Sequence, residues 1–302
     1  MPEAGDPGSR DLVASLLLRC PQLVAGEHVT CAVSGGPDSM ALLILASAAG
    51  CLVTAVHVDH GLRPGSSGEA DLVAAAALRF GADLRLEKVM VDPGPNLEAR
   101  ARAARHAVLG SEALTGHTAD DQAETMILNL LRGAALTGLS GMRPHRHPLL
   151  GLRRAETHAL CRELRIETAD DPTNRLPAHL RNRVRAELLP LMDDLARRDL
   201  VPLLVRQADV WRDDADLLDA LAARLDPTDA KAITAAPLAL ARRAVRAWLS
   251  TDHPPDLASV DRVLAVANGV VQACEVSDGR RVSRHHQRLS MDGPSLDGPS
   301  LR

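Results

Sequence analysis

Residues 29–43 read VTCAVSGGPDSMALL, and this stretch decides the fold. Val29–Val33 is short, β-branched and uncharged, which is typical of a strand buried on both faces of a parallel sheet. From Met40 onward the residues are strong helix formers with no helix breaker among them. The stretch therefore predicts a strand, a glycine-rich loop and a helix.

The loop, Ser34–Ser39, has the composition of an anion site. Gly35 and Gly36 permit backbone angles that a Cβ forbids and allow close approach to a ligand. The serine hydroxyls and the free amides of the first helical turn would point donors at one place, where a phosphate is favoured. The alternative is a tight turn in which Asp38 or Ser39 only caps the helix. The loop matches neither a Walker A loop nor a dinucleotide fingerprint.

Composition excludes several classes of protein. The 302 residues are 46% hydrophobic and 25% charged, which is ordinary for a globular protein long enough for two domains. Five cysteines without a Cys-x-x-Cys pair argue against a disulfide framework, a zinc ribbon or an iron–sulfur site. Without a membrane-length apolar run or a signal-peptide pattern, we expect a cytoplasmic protein with no membrane partner.

The basic residues are unevenly distributed although the net charge is −4. Between Arg143 and Arg185, ten arginines and four histidines stand against five acidic residues. Many of these arginines reflect a general surface bias, but a local basic surface in an acidic chain favours a polyanionic partner. Because the chain has only three aromatic residues, arginine contacts rather than aromatic stacking would hold a nucleic acid.

Strand and helix patterns alternate through the first part of the chain. Apolar segments at 51–58, 83–91 and 113–117 are predicted strands with helices between them, which is typical of an α/β fold with a parallel sheet. Ligands bind at the carboxyl ends of such strands, so the loops after strands one, two and four should converge.

The pattern becomes mainly helical from about Met192. We therefore predict three regions, which are a catalytic domain over 1–190, a smaller helical domain over 195–290 and a disordered tail over 291–302.

The stretch GHTADDQAETMILNLLRG (116–133) places carboxylates at the start of a helix, with Asp121 and Glu124 on one face. Acidic capping of the helix is the simpler interpretation. Beside a phosphate loop a second role arises, because Mg²⁺ takes one or two protein carboxylates together with nucleotide phosphates. Asp38, Asp121 and Glu124 are therefore the expected metal ligands, and His117 would face the same crevice.

Eight segments along residues 28–190 resemble the bacterial tRNA(Ile)-lysidine synthetase family. They are SGGPDS, HVDHGLR, NLEARARAAR, TGHTADDQAETMILNLLRG, GLSGM, PLLGLRRAE, DPTN and RNRVR. The SGGPDS loop alone resembles only the PP-loop ATP pyrophosphatase superfamily, which splits ATP between its α and β phosphates. The ordered combination of NLEARAR, GHTADDQAET, DPTN and RNRVR indicates the narrower family.

The resemblance implies that lysine is ligated to C2 of cytidine 34 in the CAU anticodon of tRNA(Ile). ATP would adenylate the C2 oxygen with release of pyrophosphate, and the lysine amine would then displace AMP. The product changes the tRNA from methionine to isoleucine identity. ATP and Mg²⁺ are the implied cofactors, tRNA(Ile) and free lysine are the implied partners, and a homodimer is left open.

The expected site residues follow from these motifs. Catalytic roles fall to Asp38, Asp59, Asp121 and Glu124, the last three being unranked candidates to accept the lysine amine proton. The nucleotide would be held by Ser34, Gly35, Gly36, Pro37, Asp38, Ser39, His57, Gly116 and His117. Substrate contacts are expected from His60, Arg63, Arg100, Arg105, Asp171, Asn174, Arg181, Asn182 and Arg183. For Arg100 and Arg105, pairing with acids on neighbouring helices is an equal alternative.

The chain departs from the family pattern in two places. The loop before Pro148 is shortened to RPHRH, so that His147 stands where the family has an arginine, and Arg146 is the candidate substitute. Longer members also carry a further C-terminal domain, for which residues after 290 leave no room. Selection of the tRNA is therefore expected to rest on the anticodon arm and the helical domain.

Three other functions compete with this interpretation. A PP-loop tRNA thiolase is disfavoured because the chain lacks a Cys-x-x-Cys pair and an N-terminal RNA-binding domain. A ligase that adenylates a small metabolite would leave the basic segment at 143–185 unexplained. A non-catalytic nucleotide-binding protein would bind ATP without releasing pyrophosphate, and the intact acidic residues argue against it.

Overall fold

The computed structural model describes residues 7–59, 66–89, 100, 104, 107–169, 180–251, 254–276 and 279–293. The chain divides into two compact units, residues 1–209 and residues 210–302. The separate domains predicted at 1–190 and 195–290 remain a proposal. Within the described part of the chain, no helix has the length and apolar composition needed to cross a membrane.

Four parallel strands form the sheet of the first unit. They are β1 (His28–Ala32), β2 (Leu52–Asp59), β3 (Asp83–Lys88) and β4 (Leu114–Thr115). Their order in the sheet is β3-β2-β1-β4, with every pair parallel. The predicted α/β fold is confirmed, and the carboxyl ends of β1, β2 and β4 lie at the same edge of the sheet.

The bounds of nine helices are described in this part of the chain, the last of which continues into the second unit. They are α1 (Pro7–Leu17), α2 (Pro37–Ala48), α3 (Ser66–Phe80), α4 (Ala119–Leu131), α5 (Leu136–Leu139), α6 (Arg154–Glu163), α7 (Leu180–Arg183), α8 (Leu189–Ala196) and α9 (Val201–Ala222). Two short 3₁₀ turns, Pro144–Arg146 and Pro148–Gly151, precede α6. A π-helical stretch, Val184–Leu188, joins α7 to α8 without a break.

Helix α2 lies at the centre of the hydrophobic core. Every residue from Met40 to Ala46 is at most 1% exposed. The helix packs against β1, β2, α1, α3 and α6, which explains why it has no polar face. Each large side chain buried in this way contributes about 1.5–3 kcal/mol. The core therefore fixes the start of α2, and with it the glycine-rich loop that precedes the helix.

The second unit has its own core and a sheet that the sequence did not predict. Helices α10 (Ala230–Ala235), α11 (Leu238–Leu249) and α12 (Leu257–Ala267) are followed by β5 (Ala273–Glu275), β6 (Arg281–His285) and β7 (Arg288–Asp292). The three strands are antiparallel, in the order β5-β6-β7. They are only three to five residues long, which is too short for alternation of polar and apolar residues to identify a strand with certainty.

Candidate active site

Hydrogen bonds of Ser34 and Ser39 link the two ends of the glycine-rich loop after β1. Gly35 has φ +90°, a conformation that favours glycine, and Gly36 is the N-cap of α2. The amide of Ser34 donates to Ser39 Oγ at 3.1 Å, and Ser39 Oγ donates to the Gly36 carbonyl at 2.9 Å. The loop is thereby folded around the N-terminus of α2, as an anion site requires.

The loop after β4 lies directly against the glycine-rich loop. A Cβ on Gly116 would come within 2.5 Å of the Asp38 carbonyl oxygen, so only glycine allows this backbone contact. On another side, the amide of Ala169 donates to the Gly35 carbonyl at 2.9 Å. The structure thus brings together the predicted loops after the first and fourth strands.

His57 on β2 is buried behind the glycine-rich loop. Its Nδ1 is 2.9 Å from the Val33 carbonyl, so Nδ1 carries a proton and donates it. Its Nε2 is buried and has no hydrogen-bond partner within the described residues. A buried acceptor of this kind calls for a donor, which a bound ligand can supply.

Asp38 is the carboxylate within the glycine-rich loop. Thr157 Oγ1 donates to its Oδ1, while Arg154 Nε lies 3.7 Å from Oδ2 and His158 Nε2 lies 3.8 Å from Oδ1. Burial raises the pKa of the Asp38 carboxyl, and the charge of Asp121 adds to the effect, against the opposing influence of Thr157, Arg154 and His158. The donors and positive charges around Asp38 therefore do not fully compensate the cost of ionising its carboxyl.

Asp121 is fully engaged by its neighbours. The Thr118 amide and hydroxyl each donate to its Oδ2 at 2.9 Å, and Arg154 and Arg181 donate to its Oδ1 at 2.8 and 3.2 Å. Burial would raise the pKa of this carboxyl, but Arg154, the Thr118 amide and Arg181 together lower it below its usual value. Asp121 is therefore held as a carboxylate.

Glu124 is 0% exposed and is gripped by three guanidinium groups. Arg154 donates to Oε1 through both Nη atoms at 3.1 Å, and Arg181 Nε donates to Oε2 at 2.7 Å. Arg185 donates through Nε to Oε1 at 2.7 Å and through Nη2 to Oε2 at 3.0 Å. We refer to Arg154, Arg181 and Arg185 as the arginine cluster.

Local secondary structure positions the arginine cluster. Arg181 lies on α7 and Arg185 lies in the π-helical stretch, so two arginines four residues apart both reach Glu124. Arg154 opens α6, where its amide donates to Asp120 Oδ2 at 2.7 Å. Arg153 also donates to Asp120, through Nε and Nη2 at 3.1 Å. These bonds join the starts of α4 and α6.

The other predicted residues are spread more widely. Asp59 ends β2, Asn182 lies on α7, and Arg100 is exposed. Arg183 is exposed and pairs with Glu187 one turn further on, at 2.9 Å. The remaining predicted contacts, His60, Arg63, Arg105, Asp171 and Asn174, lie outside the described residues.

The fit of a magnesium ion differs among the three predicted ligands. Throughout the described ranges, no group of three or more histidine, cysteine, aspartate or glutamate side chains is arranged to hold a metal. The oxygens of Asp121 and Glu124 are occupied by arginine and Thr118 donors. At Asp38 Oδ2 the donor found among the described residues is Arg154 Nε, at 3.7 Å, so Asp38 is the carboxylate that fits the ion, with phosphate oxygens and water as the other ligands.

Sequence reasoning did not select Arg154, Thr157 or Arg185 as site residues. The double arginine at 153–154 and the spacing of Arg181 and Arg185 were visible within the basic segment. Two arginines four residues apart share a helix face, which was the signal for a common partner. The threonine carried no comparable signal.

Comparison with known proteins agrees with this geometry. The PP-loop domain family matches residues 13–192. The chain is 42% identical to a tRNA(Ile)-lysidine synthase of Nocardia farcinica over 266 residues, which cover 82% of this chain and 83% of that protein. A tRNA(Ile)-lysidine synthase of Mycobacterium tuberculosis is 40% identical, with 75% of this chain and 76% of that protein covered.

A solved structure shares the fold. The U34-tRNA thiolase NcsA of Methanococcus maripaludis superposes with a TM-score of 0.52 at 17% identity, over 67% of this chain and 76% of that chain. That likeness concerns the architecture alone. The relatives found by sequence show more than a shared architecture, because their identity to this chain is far higher. They show that the chain belongs to the tRNA(Ile)-lysidine synthase family of PP-loop proteins.

Proposed function

We propose that this protein ligates lysine to C2 of cytidine 34 in the CAU anticodon of tRNA(Ile), using ATP. The observation that carries the proposal is the 42% identity to a tRNA(Ile)-lysidine synthase over most of both chains. In the first step the C2 oxygen of the cytosine attacks the α-phosphate of ATP and pyrophosphate leaves. In the second step the lysine amine attacks C2, AMP leaves with the oxygen, and the amine loses a proton.

The glycine-rich loop supports nucleotide binding. Its amides and hydroxyls surround the N-terminus of α2, where the helix dipole favours phosphate. The buried Nε2 of His57 offers an acceptor to a hydroxyl or amino group of the nucleotide. Donors fixed in place before the reaction stabilise charge on the departing pyrophosphate without reorganisation.

Asp38 is the residue proposed to hold Mg²⁺. The bound ion would neutralise phosphate charge and polarise the phosphoryl group. Because the pKa of the Asp38 carboxyl is raised by burial and by Asp121, a cation beside it would restore a favourable balance of charge. Thr157 orients the carboxylate through its hydroxyl.

Asp121 and Glu124 are proposed to organise the arginine cluster. All the lone-pair positions of both carboxylates already accept hydrogen bonds. For either to accept the lysine amine proton, lysine would have to displace an arginine. Asp59, the third candidate, lies at the end of β2, and an Asp59→Asn variant that adenylates tRNA but does not incorporate lysine would assign the proton to it.

The arginine cluster suits an RNA substrate. Three guanidinium groups face the carboxylates of Asp121 and Glu124. These five side chains together carry a net charge of +1, and Asp38 is not included in this sum. One continuous helical segment within the first unit carries Arg181, Asn182 and Arg185. Such a segment can hold the phosphates of an anticodon loop by arginine contacts.

Pyrophosphate release from ATP and Mg²⁺ tests the proposal directly. We expect release only with a tRNA(Ile) transcript bearing CAU, and incorporation of labelled lysine into that RNA. The matched control is the same transcript with cytidine 34 replaced by uridine, which should give neither product. Release without any RNA would instead identify a ligase of a small metabolite, and ATP binding without release would identify a non-catalytic protein.

A further inference from the structure

Arg146 is a half-buried arginine whose inner nitrogen has no partner among the described residues. It closes the 3₁₀ turn Pro144–Arg146, where its amide donates to the Arg143 carbonyl at 3.3 Å. Its Nε–H is buried, and the described part of the chain offers it no hydrogen-bond acceptor. A buried donor without an acceptor costs free energy, and more so when the group is charged. Arg146 therefore calls for an acceptor from outside these residues.

The segment that carries Arg146 is anchored on both sides. On one side, the Met142 amide donates to Gln122 Oε1 at 2.8 Å, and Gln122 Nε2 donates to the Met142 carbonyl at 3.3 Å. Gln122 itself is only 1% exposed. On the other side, Leu149 and Leu150 are buried in the protein. The backbone of Arg146 is therefore held in place before a ligand binds, as a preorganised site requires.

Arg146 belongs to the same edge of the sheet as the glycine-rich loop. The next residue, His147, has its Nδ1 2.6 Å from Thr115 Oγ1 at the end of β4. The residue after Thr115 is Gly116, which packs against the backbone of Asp38. Because parallel α/β sheets bind their ligands at the carboxyl ends of the strands, Arg146 lies on the side of the sheet where the substrates are expected.

The surroundings of His147 are rich in basic side chains. Its Nδ1 lies 3.3 Å from His117 Nδ1. Burial lowers the pKa of the His147 ring to about 3, and the charges of His117, Arg146 and His145 act in the same direction. Asp121 acts against them, but its oxygens are already engaged by the donors described above. This part of the site therefore favours an anionic ligand.

We propose that Arg146 is a phosphate-binding residue of the active site. A phosphate oxygen would accept from the buried Nε and a second oxygen from a neighbouring Nη, because a guanidinium presents its donors as a planar fork that matches phosphate. The reaction offers two sources of phosphate, which are the triphosphate of ATP and the backbone of the anticodon loop. For these two sources the inference rests on the proposed function.

Binding of ATP and Mg²⁺ without RNA tests the first source. Loss of charge-assisted hydrogen bonds of ordinary strength predicts a roughly 10- to 100-fold weaker dissociation constant in Arg146→Met, measured by titration calorimetry. Arg146→Lys keeps the charge but not the fork and should recover part of the affinity. The matched control is Arg10→Met, which removes an equal charge from an exposed position on α1 and should bind ATP as the wild-type chain does.

Binding of a tRNA(Ile) transcript with a CAU anticodon, measured without ATP, tests the second source. If Arg146 holds an RNA phosphate, Arg146→Met should bind the transcript more weakly and lower the slope of log affinity against log salt by about one. Weaker ATP binding assigns Arg146 to the triphosphate, and weaker RNA binding with the smaller slope assigns it to the RNA backbone. Unchanged affinity for both ligands would overturn the proposal.

The melting temperature of the ligand-free chain distinguishes a ligand contact from a structural role. Because a buried unpaired donor costs free energy, Arg146→Met should melt at the wild-type temperature or above it. Arg154→Met, which removes a guanidinium bonded to Asp121 and Glu124, should melt below it. A lower melting temperature in Arg146→Met, with ligand binding that Arg146→Lys does not restore, would contradict the proposal.

These measurements separate failure of this inference from failure of the proposed function. If the wild-type chain ligates lysine to the tRNA while Arg146→Met binds both ligands normally, the inference alone is wrong. If the wild-type chain modifies no tRNA but Arg146→Met binds ATP more weakly, the proposed function is wrong while the phosphate contact stands.

Discussion

At the scale of single residues, the acidic side chains of the site differ in how their charge is balanced. Asp38 is half-buried, with one hydroxyl donor and with Arg154 and His158 at 3.7 and 3.8 Å, and its carboxyl has a raised pKa. Glu124 is buried with three arginines. A charge that is incompletely paired costs free energy in the folded chain, and a bound cation would lower this cost. A charge that is fully paired supports the structure instead.

Replacing Asp38 should separate activity from stability. Because its pKa is raised in the folded state, the folded chain binds more protons than the unfolded chain in the window above the usual carboxyl pKa, and stability falls as pH rises through that window. Asp38→Asn should therefore melt at the same temperature as wild type or higher at pH 8, and this advantage should vanish near pH 4.

The same variant should lose pyrophosphate release by about 100-fold or more, as expected for removal of a key electrostatic group. The matched control is Asp261→Asn, which removes a partly exposed partner of Arg242 and should leave release unchanged. A stability loss in Asp38→Asn at pH 8 would show that the ionised carboxylate supports the fold.

Replacing Glu124 should lower the stability of the fold, in contrast to replacing Asp38. Glu124→Gln leaves three arginines facing one another without their central carboxylate, and breaking a buried charge pair in this way costs about 3 kcal/mol or more. Urea unfolding followed by far-UV circular dichroism measures the loss. Glu187→Gln, which removes only the exposed and solvent-screened pair with Arg183, should leave the urea midpoint close to that of the wild-type chain.

At the scale of elements, the site is built where strand and helix ends meet. The unit β1–loop–α2 was predictable because apolar runs, two glycines and a helix-favouring sequence are all local signals. The predicted face shared by Asp121 and Glu124 on α4 is also present. Their pairing with Arg154 and Arg185 was not predictable, because Arg154 lies 33 residues from Asp121 and Arg185 lies 61 residues from Glu124, and contacts over such separations leave no local signal that names the partner.

The junction between α4 and α6 should be sensitive to acid. Burial opposes ionisation of both carboxyls, but Arg153 and Arg154 lower the pKa of Asp120 below the usual range, and Arg154, the Thr118 amide and Arg181 do so for Asp121. The stability they contribute is present above pH about 4 and is lost as pH falls through the lowered values.

Hydrogen exchange between pH 5 and 2.5 tests this prediction. Amides at the starts of α4 and α6 should lose protection first in the wild-type chain, and Asp121→Asn should show that loss already at pH 5. Asp71→Asn, an exposed change on α3, is the control. Uniform loss of protection across the first unit would contradict a local junction.

At the scale of the whole molecule, the aromatic residues are divided unequally between the two compact units. The chain has two tryptophans and no tyrosine. Trp211 and Trp248 both fall in the unit formed by residues 210–302, while the glycine-rich loop falls in the unit formed by residues 1–209. Tryptophan fluorescence therefore reports on a different unit from the one proposed to bind ATP.

If the units unfold separately, ATP and Mg²⁺ should stabilise only one of them. A ligand at 100 times its dissociation constant adds about 2.7 kcal/mol to the unit that binds it. The melting midpoint from far-UV circular dichroism should then rise with ATP, while the midpoint from tryptophan fluorescence stays unchanged. Parallel shifts of both midpoints would show that the two units unfold cooperatively. Asp38→Asn supplies the control, because ATP should shift neither midpoint.

The contact between Gly116 and the Asp38 carbonyl also bears on how this protein can decay over evolutionary time. Packing restricts position 116, since any side chain there would collide with the backbone of residue 38. Chemistry restricts the Asp38 side chain, whose ionised form is disfavoured by burial in the folded chain. A gene copy released from selection for activity would therefore lose Asp38 early and keep Gly116 for as long as the protein must fold. Copies with that combination can be recognised from sequence as folded remnants.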